Sequence, residues 1–75
     1  MRQLVRVFIE DADGRRLAEG FEWLCGGWWQ ITAPRPAGGI RYVSEHATEG
    51  EMLDALRRTP GASRLRMIYR KAVAS

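Results

Sequence analysis

The sequence is nearly empty of three chemically informative residues: it has one cysteine (Cys25), one histidine (His46) and one lysine (Lys71). A single thiol closes no internal disulfide, which excludes a stapled secreted scaffold. One imidazole and one distant thiol do not supply the three or four ligands of a metal site, so no metal or other cofactor is expected. No apolar run approaches the ~20 residues that span a bilayer, so no membrane partner is expected. Met1-Arg2-Gln3 runs straight into an alternating segment, unlike a signal or transit peptide, and a cytoplasmic location is the resulting expectation. A Gly-Lys-Ser/Thr phosphate loop is also missing. The glycine pairs Gly26-Gly27 and Gly38-Gly39 follow no phosphate-binding spacing and read as turns.

What is present is a 75-residue chain, 45% apolar, which reads as one globular domain over residues 1–75. A domain of this size buries only about 60% of the surface its unfolded chain exposes. An enclosed ligand pocket of ~300 Å³ would remove much of such a core. Size therefore favours a module that binds through its surface over a self-contained enzyme.

The net charge of +3 is unevenly placed. Residues 1–51 hold six arginines against eight acids, whereas residues 52–75 hold Arg57, Arg58, Arg64, Arg66, Arg70 and Lys71 against Asp54 alone. A basic C-terminal third suits phosphate or an acidic protein surface. Eleven of the twelve basic residues are Arg, whose planar donor fork matches both, although GC-rich coding alone also produces such a bias.

Alternation from Leu4 to Glu10 predicts a first strand, with Val5, Val7 and Ile9 on the core face and Leu4, Arg6, Phe8 and Glu10 on the other. Asp11-Ala12-Asp13-Gly14 supplies hairpin chemistry. The returning strand begins near Arg15, places Leu17, Phe21 and Trp23 on one face, and has a candidate bulge at Gly20; a helix with Leu17, Phe21 and Leu24 on one face also fits this stretch, but Gly20 and the hairpin signal favour the strand. Cys25-Gly26-Gly27 reads as a turn, Trp28 to Thr32 as a third strand, and Ala33 to Gly39 as a loop in which two prolines oppose pairing. Ile40 to Ser44 is a fourth strand. Thr48 with Glu51 forms a capping box for one helix, whose apolar stripe is Met52, Leu53 and Leu56 and which Thr59-Pro60-Gly61 ends. Ser63 to Val73 is the last strand, with Leu65, Met67, Tyr69 and Val73 on one face and Arg64, Arg66 and Arg70 on the other. The expected fold is α+β: a small, mostly antiparallel sheet in the order β-β-β-β-α-β, with one helix packed on one face.

No catalytic constellation can be assembled. His46, just before the helix cap, reads as a solvated loop histidine. Cys25, beside Trp23 and Leu24, reads as a small buried apolar residue rather than a nucleophile. Asp11-Ala12-Asp13-Gly14 brushes against a calcium loop, but Arg16 stands where that loop requires Gly.

Two features point outward. Trp28-Trp29 in a strand must send one indole to each face, so one of them stays exposed as a contact residue unless the second face is covered too. Arg64, Arg66 and Arg70 line one side of the last strand and could join Arg2 or Arg6 in a basic surface, although terminal strands also carry charge to discourage edge pairing. The expected function is a non-enzymatic protein-binding module using Trp28, Trp29, Arg64, Arg66 and Arg70. It would be an adaptor or inhibitor of a larger assembly, for instance an anti-CRISPR-like phage or mobile-element inhibitor of a host nuclease complex. The alternative is a nucleic-acid-binding protein that uses the arginine stripe and an exposed Trp. A homodimer is compatible with either.

Overall fold

In the computed structural model, residues 2–23 and 27–71 are described. The elements run β1 (Arg2–Glu10), β2 (Arg16–Glu22), β3 (Trp29–Pro34), β4 (Ile40–His46), α1 (Glu49–Arg57) and β5 (Arg64–Lys71). The strands form one antiparallel sheet in the order β4-β3-β2-β1-β5, and α1 packs on it. This is the expected α+β arrangement. Because β4 and β5 are opposite edges, the chain must cross the sheet between them, and the helix is what crosses.

The hairpin between β1 and β2 follows from Asp11 and Gly14. One carboxylate oxygen of Asp11 accepts hydrogen bonds from the backbone N–H of Asp13 (2.9 Å) and of Arg15 (2.8 Å). Gly14 turns the chain at φ +82°, a region that disfavours any side chain. At the helix start Thr48 caps as expected, while the reciprocal arm of the box goes one residue beyond the cap. Glu51 N–H donates to Thr48 Oγ1 (3.2 Å), and the Glu51 carboxylate reaches back to the Ala47 N–H (3.2 Å). Met52 and Leu56, fully buried, press onto the sheet against Val7, Ile9, Ala18, Ile31 and Trp29. Gly20 lies directly beneath them: a Cβ there would collide with Met52 Sδ and come within 3.1 Å of Leu56 Cδ1. Gly20 is therefore a packing glycine, not the expected bulge.

Bulges occur instead at three apolar residues. The register places Leu4 opposite Tyr69 and Arg6 opposite Ile68, which makes Val5 the extra residue of β1. Ala18 faces Ile9 while Arg16 faces Glu10, so Leu17 is extra in β2. Ser44 faces Ile31 while Tyr42 faces Thr32, so Val43 is extra in β4. Each extra residue resets the alternation of side chains by one position. The core face of β1 is consequently Leu4, Val7 and Ile9, with Leu4 taking the place expected of Val5. Leu17 likewise leaves the face of Phe21 and packs against the core. Strand β3 continues through Ala33 to Pro34, past the expected loop start. Its pairing with β2 ends at Thr32, so no β2 acceptor awaits the N–H that Pro34 lacks. Val73, Leu24 and Cys25 fall outside the described residues.

Candidate functional site

The helix covers one face of the sheet and leaves the other open. Direct cross-strand partners share a face, so the registers assign the open face to Arg6, Phe8 and Glu10 of β1, Arg16, Glu19 and Phe21 of β2, Gln30 and Thr32 of β3, Tyr42 and Glu45 of β4, and Arg64, Arg66 and Ile68 of β5. Five cations (Arg6, Arg16, Arg64, Arg66 and Arg70) belong to this side of β1, β2 and β5, against the acids Glu10 and Glu19.

Those two acids are shared. Glu19 receives Arg6 Nε at 2.8 Å and Arg16 at 3.7 Å. Glu10 receives Arg64 Nε and Arg66, each at 3.8 Å. The Arg6 contact is close, whereas the three longer ones join exposed guanidinium groups to these half-buried acids and hold little energy. Arg70 Nε donates to Gln3 Oε1 at 3.3 Å. The guanidinium of Arg16 lies 3.8 Å above the ring centroid of Phe8, which is buried beneath it. The arginine stripe expected on β5 is thus present on one side of that strand, with Leu65 and Met67 on the other, packed against the core.

The two tryptophans part company. Trp29 opens β3, pairs with His46 and Glu22, and is 7% exposed within the core. Its burial leaves little of the indole exposed for contact with a partner. Trp28, one residue earlier and outside the strand, is 59% exposed. Trp23 stands on the other side of the same β2–β3 connection and is 47% exposed. Since Glu22 pairs with Trp29, both exposed indoles extend from the same end of the sheet. The alternation of the sequence groups Trp23 with Leu17 and Phe21 on one face; in the structure it lies one residue past the end of β2. Arg64 lies at the opposite end, opposite Glu10. Arg70, opposite Gln3 and lining a groove with Glu22, lies toward the tryptophan end, so the arginine row runs from that end of the sheet to the other instead of forming one compact patch with Trp28.

The β4 edge adds further exposed apolar surface, with Ile40, Tyr42 and Val43 at 71%, 53% and 48%. Desolvation, then the nearby Glu45 carboxylate, raises the Tyr42 phenol above its ordinary pKa. His46 ends β4 half-buried instead of lying in a solvated loop, and its Nε2 shares a 2.8 Å hydrogen bond with Ser44 Oγ. A hydroxyl joined to an imidazole is the beginning of a nucleophilic relay. The cleft that Ser44 lines, about 300 Å³ between the end of α1 and β4, has no carboxylate among its described residues to orient the ring. A second groove of about 440 Å³ lies on the open face by Glu10, Arg16, Glu19 and Ile40. Both are surface grooves. Among the described residues, no group of three or more His, Cys, Asp or Glu is placed to hold a metal ion, and no helix is long and apolar enough to cross a membrane.

No protein-family model matches the chain, and comparison with curated proteins and with solved structures gives no significant match.

Proposed function

We propose that this chain is a non-enzymatic protein-binding module, an adaptor or inhibitor that attaches to a larger assembly. The observation that carries the reading is apolar surface exposed at two separate rims: Trp28 and Trp23 at one end of the sheet, and Ile40, Tyr42 and Val43 along a free edge. Contiguous exposed apolar groups on so small a chain have a solubility cost that a partner would remove. Tryptophan is among the residues most enriched in binding hot spots. A phage-encoded inhibitor of a host nuclease complex is one instance of this class. A second copy of the chain is another partner consistent with the same rims.

The arginines of the open face favour the alternative, direct nucleic-acid binding. One feature weighs against it: Glu10 and Glu19 lie among four of the five arginines and lower the positive potential that a phosphate backbone would meet. Affinity capture from nuclease-treated lysate of the native host separates the two. The protein-binding reading expects a stoichiometric protein that survives nuclease; recovery that disappears with nuclease treatment supports the alternative instead.

A further inference from the structure

The two edges of the sheet differ. Strand β4 is interrupted by the bulge at Val43, a device that spoils further pairing. Strand β5 steps one residue at a time along β1 from Arg64 to Lys71, because the bulge of that pair lies on the β1 side. Its outer edge is the end of the sheet and pairs with no other described strand. Strand β5 therefore offers an extended, evenly spaced row of backbone donors and acceptors.

The side chains of this edge are sorted by face. Arg64, Arg66 and Arg70 belong to the open side, with Ile68 between Arg66 and Arg70. Leu65, Met67 and Tyr69 belong to the helix side, where α1 packs mainly over β2, β3 and β4. Leu65 and Met67 are consequently only partly buried, and Tyr69 is 45% exposed. The segment from Arg64 to Lys71 carries four cations and no acid, so pairing two copies along this edge would set like charges against each other. Arg64 and Arg66 compete for the single carboxylate of Glu10, which leaves positive charge in excess.

We propose that β5 accepts an extended strand from a partner protein in which acidic residues alternate with apolar ones. The acids would lie opposite Arg64, Arg66 and Arg70. The apolar residues would complete the cover over Leu65, Met67 and Tyr69, and the backbone would continue the sheet. This deepens the protein-binding reading and rests on it.

The test is a titration of the purified chain with a blocked seven-residue peptide alternating Glu and Val, followed by fluorescence polarisation. Three comparisons accompany it: the same peptide N-methylated at every second amide on one edge, a Lys/Val peptide, and a single-stranded oligothymidine. The expected result is binding of the Glu/Val peptide alone, with N-methylation weakening it about tenfold or more through lost backbone hydrogen bonds. The double variant R64E/R66E, both at exposed positions and checked for native circular dichroism, is expected to transfer preference to the Lys/Val peptide. Equal binding of the N-methylated peptide would overturn strand addition in favour of plain charge attraction. Binding of oligothymidine in place of the peptide would overturn the acidic-strand assignment. If no peptide binds while capture of a protein partner persists, the inference about β5 fails and the protein-binding reading stands.

Discussion

Trp28 and Trp29 are chemically identical neighbours with different roles, and only their position relative to the first pairing of β3 separates them. Alternation in the sequence shows that the two must diverge but not which way, because that depends on where the ladder starts. Trp29 fills the core, so Trp29→Ala is expected to cost about 3–5 kcal/mol in chemical denaturation. Trp28→Ala, at an exposed site, is expected to change stability by no more than about 0.5 kcal/mol. Gly20 carries a comparable distinction. Its sequence context reads as a strand irregularity, yet what requires glycine is the descent of Met52 onto the sheet. Gly20→Ala is expected to lower stability by about 1–3 kcal/mol through overpacking. Adding Met52→Ala should make the two effects strongly non-additive, since the second change removes the colliding atom. Simple additivity in that cycle would mean the helix does not rest on Gly20.

The helix was the most legible of the elements, because its signals are local. Thr48 Oγ1 accepts from the Glu51 N–H and the Glu51 carboxylate accepts from the Ala47 N–H, all within five consecutive residues, and no distant contact decides it. Thr48→Ala is expected to cost about 1 kcal/mol, read as a lower denaturation midpoint with an unchanged slope. The strands were legible in order and approximate bounds, but not in facing. In Leu4-Val5-Arg6-Val7-Phe8-Ile9 nearly every position is apolar, so two phases fit equally well until the bulge at Val5 selects one. The bulge at Leu17 acts similarly: it inserts an apolar residue that the alternation rule groups with Phe21, whereas Leu17 packs against the core. The arginine stripe of β5 was read correctly because that strand has no bulge of its own. His46 was misplaced because β4 extends two residues beyond its apolar run, held by the pairing of Trp29 with His46 and of Gln30 with Glu45.

At the scale of the whole molecule, the crossing of α1 from one edge to the other leaves the opposite face bare and both edges free. That arrangement places basic residues on a broad open surface while large apolar groups remain at the rims. The two proposed classes of partner differ in how they respond to salt. Binding through a set of phosphate contacts would weaken steeply between about 50 and 200 mM salt. Attachment through Trp28, Ile40, Tyr42 and Val43 is expected to change little over the same range, because apolar burial is not screened, while acids set against Arg64, Arg66 and Arg70 would add a smaller salt-sensitive part. The most direct measurement of the central claim is quantitative capture by tagged wild-type protein and by Trp28→Ala, both first shown to have the same unfolding midpoint. Protein binding through the exposed rim requires the variant to retain about one tenth or less of the wild-type partner, the loss typical of a hot-spot residue. Equal recovery by the two proteins would contradict it.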